Sequence, residues 1–172
     1  PIVVARLGQA VCEGLLMGGV LPVIKHIPGH GRAVADSHLE LPRVDTSLDT
    51  LVKTDFAPFI GLSDAPAGMT AHIVYSAIDP ERPASISPTL VEETIRNEIG
   101  FDGLLFSDDV CMNALSGPVN DRVGLVLEAG CDVALHCNQN FADMAAIAET
   151  CPPMRDDSLL RLKSAVARLN DS

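Results

Sequence analysis

Residues 20–31 read VLPVIKHIPGHG, and residues 36–38 shortly after them read DSH. The apolar run 20–24 predicts a short buried strand whose carboxyl end carries Lys25 and His26. Pro28 and two glycines then predict a turn into a polar loop, where Asp36 and His38 lie two residues apart. In α/β barrels the reactive groups sit where strands end. This stretch therefore indicates a candidate reactive site at the end of a strand.

Composition narrows the class of protein. The 172 residues are 47% hydrophobic, which is enough for one domain with its own core. No apolar window is long enough for a membrane span. The 23 acidic and 12 basic residues give a net charge of −11, which disfavours nucleic acid or an anionic membrane as a partner.

The cysteines and the start of the chain bear on the compartment. Five cysteines without CxxC spacing predict free thiols in a reducing cytoplasm, rather than disulfides or a metal cluster. No basic segment followed by an apolar one opens the sequence, so we expect no signal peptide. The chain starts with Pro1 instead of Met, which predicts residues upstream.

Apolar strands and amphipathic helices alternate along the chain. An amphipathic helix at 3–18 carries Val4, Leu7, Val11 and Leu15 on one face. The expected strands cover about 20–26, 68–73, 103–106 and 131–136, and the other expected helices cover about 48–59, 87–99, 120–129, 141–149 and 158–170. This alternation predicts βαβ units and therefore a parallel sheet.

Four βα units allow two α/β architectures. One is a small open doubly wound sheet, and the other is half of an eight-stranded barrel, which typically needs about 250 residues. No glycine-rich phosphate loop is present to support nucleotide binding. Polar residues at three of the four strand ends would converge on one face of a barrel, which favours the second architecture.

The segments KHIPGHG (25–31), DSH (36–38) and FSDD (106–109) resemble the signature of family 3 glycoside hydrolases. Within that family the closest resemblance is to bacterial β-N-acetylhexosaminidases of the NagZ type, with Ile27 in place of the commoner Phe. The resemblance implies a (β/α)8 TIM barrel of which residues 1–172 form the C-terminal half, strands five to eight, with no second domain. A DQEGGR-type strand end, which belongs to the family's first half, is absent.

The resemblance also implies roles for individual residues. Asp108 takes the position of the nucleophile, which attacks the anomeric carbon in a retaining mechanism. His38 becomes the general acid and base, and Asp36 orients its imidazole. Lys25 and His26 match the residues that bind the hydroxyls of N-acetylglucosamine. No metal and no cofactor are expected.

Without the resemblance, the same residues also fit structural roles or a different chemistry. Asp108 could cap the next helix, the DSH segment could be a solvated turn, and Lys25 could be a Schiff-base nucleophile. His72 ends the second strand, where lining the substrate pocket and being a buried structural histidine are equally compatible with the pattern.

The function implied is that of a retaining exo-β-N-acetylglucosaminidase. It would remove terminal β-linked N-acetylglucosamine from peptidoglycan fragments, or from chitooligosaccharide-like substrates, in the cytoplasm. One alternative is a metal-dependent barrel hydrolase that uses His26, His30, His72 and Asp108 as ligands. The other is a non-catalytic half-barrel that binds sugar. A half-barrel on its own is expected to self-associate through its open edges and to catalyse little.

Overall fold

The computed structural model describes residues 1–33 and 41–169. Its helices are α1 (Ile2–Met17), α2 (Leu48–Leu51), α3 (Ala57–Ile60), α4 (Val119–Glu128), α5 (Phe141–Thr150) and α6 (Asp156–Ala167). A π-helix (Val52–Phe56) joins α2 to α3, a 3-10 turn covers Ala84–Ile86, and a longer π-helix covers Leu90–Glu98. The strands are β1 (Val23–Ile27), β2 (Arg43–Val44), β3 (Ala67–Thr70), β4 (Val74–Tyr75), β5 (Leu104–Asp109) and β6 (Val133–Leu135).

The predicted alternation of strands and helices is confirmed, with shifts at the ends. The first strand starts about three residues later than expected, and Lys25 and His26 lie near its carboxyl end as predicted. The strand β5 likewise extends through Asp108 and Asp109. The helical turn before Leu90 is capped as predicted, because the Ser87 hydroxyl accepts a hydrogen bond from the Leu90 amide at 3.2 Å.

Four strands form one parallel sheet in the order β1-β3-β5-β6, which is also their order along the chain. A doubly wound sheet would reverse its strand order at a switch point. The described strands show no such reversal. The two-residue strands β2 and β4 form a separate parallel pair, which the sequence did not indicate.

The two faces of the sheet have different surroundings. Ile24 and Leu105 are buried in the main hydrophobic cluster with the helices. On the opposite face, paired residues form a row across the sheet, and its members remain partly exposed: Lys25, Met69, Phe106 and Val133. One face is therefore sealed by helices, while the other is largely open.

Helix α6 covers the amino-terminal end of the open face. Ala165 packs there against Ala67 and Leu104, in a small second cluster. Beside it the buried Asp132 carboxylate accepts hydrogen bonds from Arg96 at 2.9 Å and from Ser158 at 2.6 Å. The amino-terminal end of the sheet is thus covered by α6 and by the ion pairs of Asp132.

Helix α1 forms where it was predicted, but its apolar stripe is not covered. Val4, Leu7 and Val11 are each about 60% exposed. The helix instead approaches α3 through its small residues, where Gly8 lies against Leu62. Among the described residues, no helix combines the length and the apolar character that crossing a bilayer requires.

Candidate active site

The predicted nucleophile lies at the carboxyl end of the sheet. Asp108 is the penultimate residue of β5, and its side chain is 12% exposed. One of its carboxylate oxygens, Oδ2, lies 3.8 Å from Nε2 of His26 on β1. The structure therefore brings together Asp108 and His26, which are 82 positions apart in the sequence but both at strand ends.

The Asp108 carboxylate is only partly engaged by the protein. Its Oδ1 accepts the Asp109 amide at 2.9 Å, and this is its hydrogen bond within the described part of the chain. The next helix, α4, begins at Val119 without a side-chain cap, so Asp108 does not serve as its cap. Oδ2 lies 3.8 Å from Nε2 of His26 and accepts no hydrogen bond within the described part of the chain.

Asp109 is engaged quite differently from its neighbour. Its Oδ1 accepts the amides of Cys111 at 3.0 Å and of Cys137 at 3.1 Å, so it ties the loop after β5 to the loop after β6. Its main-chain carbonyl accepts a hydrogen bond from His72 at 3.0 Å. These contacts give Asp109 a structural role at the same strand end.

His72 is fully buried, and both of its ring nitrogens are used inside the protein. Because a carbonyl only accepts, Nε2 carries the proton donated to Asp109, and Nδ1 accepts from the Ser85 hydroxyl at 2.6 Å. Burial is the main cause that lowers the pKa of His72, which keeps the ring neutral. This placement fits the structural alternative for His72 and leaves no ring nitrogen for a sugar.

His26 lies at the edge of the site, with its ring 5.4 Å from that of His30. Partial burial lowers the pKa of His26 more than the nearby Asp108 carboxylate raises it. His26 is therefore neutral near pH 7, and its contact with Asp108 is not an ion pair. A neutral imidazole can donate or accept one hydrogen bond at a sugar hydroxyl.

The KHIPGHG turn is held in place by contacts of Gly29 with Tyr75 and Asp55. The Tyr75 hydroxyl donates to the Gly29 carbonyl at 2.6 Å, and burial raises the pKa of this phenol, so it stays protonated. Gly29 has φ +148°, and a Cβ there would lie 2.9 Å from the Asp55 carbonyl oxygen, so only glycine fits. Asp55 in turn binds Arg32 at 2.7 Å.

A cleft of 590 Å3 opens beside this turn, lined in part by Lys25, His26, His30 and Arg32. Lys25 projects from β1 next to it and is exposed. The other two predicted catalytic residues, Asp36 and His38, lie outside the described residues. The cleft thus borders the turn that precedes them.

The proposed metal ligands lie near one another but do not form a metal site. Within residues 1–33 and 41–169, no group of three or more His, Cys, Asp or Glu side chains is arranged to hold a metal ion. Of the four ligands considered, His72 has both nitrogens occupied, which removes it from any such set.

Sequence reasoning missed three features of this strand end. Arg122 donates to the carbonyls of Val110 at 2.9 Å and Met112 at 3.1 Å, which holds the loop after Asp108. Cys111 and Cys137 flank the Asp109 carboxylate. His136 carries a buried Nε2 that has no hydrogen-bond partner among the described residues. The FSDD motif marks the strand end beside Arg122 and Cys111, and the predicted fourth strand, 131–136, ends at His136, to which no role was assigned.

The chain matches known proteins along nearly all of its length. The family model "Glycosyl hydrolase family 3 N terminal domain" matches residues 1–169. A β-hexosaminidase of Bordetella avium is 39% identical over 97% of this chain and 49% of its own length. A β-hexosaminidase of Neisseria gonorrhoeae is 43% identical over 91% of this chain and 44% of its own length.

Solved structures give the same result. The structure of NagZ from Neisseria gonorrhoeae in complex with N-trifluoroacetyl-D-glucosamine has a TM-score of 0.84 and 36% identity, and it covers 99% of this chain and 52% of that one. A family 3 β-N-acetylglucosaminidase from a Paenibacillus species has a TM-score of 0.86 and 32% identity, over 98% of this chain and 35% of that one.

These comparisons also correct one expectation. The matching family model is that of the N-terminal domain, so the assignment of the chain to a C-terminal half is wrong. The chain spans about half the length of the curated relatives it matches. The match over residues 1–169, together with the strand-end geometry, shows that the chain belongs to family 3 of the glycoside hydrolases.

Proposed function

We propose that the protein containing this chain is a retaining β-N-acetylhexosaminidase that removes terminal β-linked N-acetylglucosamine, with Asp108 as its nucleophile. The observation that carries the proposal is the state of the Asp108 carboxylate. One oxygen is anchored by the Asp109 amide, and the other lies 3.8 Å from His26 with no hydrogen bond among the described residues. Relatives described as β-hexosaminidases support the choice of substrate.

The proposed mechanism follows from these positions and from the resemblance. Oδ2 of Asp108 attacks the anomeric carbon and forms a covalent glycosyl-enzyme, while His38 donates a proton to the leaving oxygen. His38 then takes a proton from water, which releases the sugar with its β configuration retained. Asp36 supports the imidazolium in both steps. Lys25 and neutral His26 hold the ring hydroxyls.

The stereochemical outcome tests this mechanism directly. Proton NMR of an aryl β-N-acetylglucosaminide, treated with the complete protein, should show the β-anomer of N-acetylglucosamine before mutarotation. A slowly released fluorinated substrate should label peptide 97–122, the tryptic peptide that contains Asp108. Initial release of the α-anomer would rule out the covalent mechanism. Sugar binding without any turnover would instead support the non-catalytic alternative.

The role of His38 has its own test, based on the leaving group. Nitrophenol departs with little protonation, whereas a sugar alkoxide needs a proton. We expect His38→Ala to slow hydrolysis of a disaccharide by about 10²- to 10⁴-fold, and to slow hydrolysis of the nitrophenyl glycoside much less. Equal losses on the two substrates would assign His38 to binding or structure.

We further propose peptidoglycan fragments as the natural substrate and the cytoplasm as the compartment. Support for the compartment comes from the cysteines: Cys12, Cys111, Cys131, Cys137 and Cys151 are all free thiols, as in reducing surroundings. Turnover of a muropeptide and of a chitooligosaccharide, compared as kcat/KM, tests the substrate. A lower value for the muropeptide would contradict it.

We propose that the four parallel strands are consecutive, neighbouring strands of a closed eight-stranded barrel. The support is their sequential order and the open row Lys25, Met69, Phe106 and Val133, which a closed barrel would bury. With β1 and β6 as free edges, residues 1–172 alone should self-associate. Light scattering that shows a stable monomer would contradict this arrangement.

A metal-dependent hydrolase receives no comparable support. Its ligand set needs His72, and the Ser85 and Asp109 contacts already occupy both nitrogens of that ring. A Schiff-base role for Lys25 likewise lacks support, since the residue is exposed rather than enclosed in an apolar pocket.

A further inference from the structure

Two cysteines that lie 26 positions apart in the sequence meet at the Asp109 carboxylate. Cys111 lies in the loop after β5, and Cys137 lies in the loop after β6. Their backbone amides donate to the same oxygen, Oδ1, at 3.0 and 3.1 Å. The two backbones are therefore held together across one shared acceptor atom.

The shared acceptor limits how far apart the two cysteines can lie. Because the Cys111 amide nitrogen is 3.0 Å and the Cys137 amide nitrogen 3.1 Å from one oxygen, the two nitrogens are at most about 6.1 Å apart. Disulfides join residues whose Cα atoms are separated by about 4.4–6.8 Å. The two backbones therefore lie close enough for a disulfide to be considered.

Access for a reagent is present on one side of the pair. Cys137 is exposed and Cys111 is half-buried, whereas Cys131 is fully buried. The exposed thiol can meet a reagent in solution, and its half-buried neighbour can then attack it from within. This division of roles is that of an attacking and a resolving cysteine.

We propose that Cys111 and Cys137 form a modification site, a dithiol that is converted to an intramolecular disulfide by small-molecule disulfides such as oxidised glutathione. The Cys137 thiolate attacks one sulfur of the reagent, which breaks its S–S bond and releases one glutathione thiolate. The Cys111 thiolate then attacks the Cys137 sulfur and displaces the second glutathione. The two protein thiols are oxidised, and one reagent disulfide is reduced to two thiols.

The surroundings set the pH at which this exchange runs. Burial raises the pKa of Cys111, and with the nearby Asp109 carboxylate it raises the pKa of Cys137 too. Less thiolate is then present at pH 7 than for an ordinary cysteine. The exchange is therefore expected to accelerate several-fold between about pH 7 and pH 9.

The product would link the loops that follow β5 and β6, directly beside Asp108. Because the Asp109 amide anchors Oδ1 of Asp108, a bond across Asp109 would brace the segment that positions this carboxylate. The inference does not rest on the proposed function, because it concerns only thiols and their geometry.

Peptide mapping tests the proposal on the complete protein. After incubation with oxidised glutathione at about pH 8.5, trypsin should give peptide 97–122 linked to peptide 123–155, with fragment ions joining Cys111 to Cys137. A reducing agent should separate the two peptides. Cys111→Ser and Cys137→Ser should each abolish the link. Cys151→Ser, the matched control at an exposed cysteine in the same second peptide, should leave it intact.

A second measurement uses the wild-type protein, so it does not depend on whether a variant folds. A trivalent arsenical, which bridges adjacent thiols, should bind the untreated protein and protect Cys111 and Cys137 together from alkylation. A stable mixed disulfide of glutathione on Cys137 alone would overturn the proposal. A link from Cys111 to Cys131 or Cys151, or alkylation of the two thiols independently of the arsenical, would overturn it as well.

Discussion

Asp108 and Asp132 are both buried, and they lie at opposite ends of the same sheet. Asp132 lies just before β6 at the amino-terminal end, and each of its oxygens has strong donors, among them Ser158 at 2.6 Å and the Leu105 amide at 2.8 Å. Asp108 lies near the carboxyl end of β5, and its one backbone donor is the Asp109 amide at 2.9 Å.

The difference shows how one residue type serves two purposes in this fold. At the amino-terminal end, the Asp132 carboxylate accepts from arginines, a hydroxyl and an amide. It therefore stabilises the protein and has no lone pair left for chemistry. At the carboxyl end, Oδ2 of Asp108 accepts no hydrogen bond from the described residues, which costs stability but keeps a nucleophile available. The predictions below test this division between the two ends.

The largest effect is expected at Asp108. Asp108→Ala should reduce kcat on an aryl β-N-acetylglucosaminide by about 10⁴-fold or more, since removal of a nucleophile disables the whole catalytic set. Asp109→Asn is the matched control, because an amide oxygen still accepts from Cys111 and Cys137, and it should retain activity within about tenfold. Near-normal turnover by Asp108→Ala would assign the nucleophile to another residue.

The next effect is on folding and concerns Asp132. Asp132→Ala removes the partner of Arg96, whose side chain is only 9% exposed, and leaves a buried charge unpaired. The free energy of unfolding should fall by about 3–5 kcal/mol, measured by urea denaturation. Specific activity per folded molecule should not change. A loss of activity without a loss of stability would break the proposed division.

A smaller effect is expected from His72 as the pH falls. Its folded pKa is lowered below the ordinary value of 6.5, so the unfolded chain takes up a proton first. The stability contributed by the neutral ring is complete above about pH 6.5 and is lost as pH falls through the folded pKa, by up to about 1.4 kcal/mol per pH unit.

His72→Gln tests this sign, because an amide can still donate to the Asp109 carbonyl but cannot be protonated. Unfolding free energies measured between about pH 6.5 and pH 5 should decline less steeply in the variant than in the wild type. Parallel curves would show that His72 is not the titrating group.

The smallest effect is expected at Asp157. Arg161 contacts the buried Asp132 at 3.3 Å and Asp157 at 2.9 Å, but the Asp157 side chain is 55% exposed. Asp157→Ala should lower the free energy of unfolding by less than about 1 kcal/mol, because exposed ion pairs contribute little. A loss equal to that of Asp132→Ala would mean that burial does not set the strength of this cluster.

Much of the fold could be predicted because its strands are short apolar runs and its helices are amphipathic. Ser87 and the breaks at glycine placed helix ends to within a few residues. The pair β2 and β4 was missed because two-residue strands have no periodicity to detect. The apolar stripe of α1 was visible in the sequence, but such a pattern shows only that a face is apolar, and not whether another part of the protein covers it.

The candidate site was predictable only in part. The FSDD motif placed Asp108 at a strand end, yet its separation from His26 depends on the pairing of β1, β3 and β5, which no local pattern encodes. For His72 the sequence left two roles open, and only its contacts with Ser85 and Asp109 distinguish them. The meeting of Cys111 and Cys137 depends on two loop conformations and had no sequence signal.

The sequential strand order has a consequence for synthesis of the protein. When β3 leaves the ribosome, its partner β1 has already been made, and the same holds for β5 and then β6. Within this sheet, each new strand can therefore add to the edge left by the previous one. The sheet can grow in one direction, so that a nascent chain exposes one advancing edge rather than several unpaired strands.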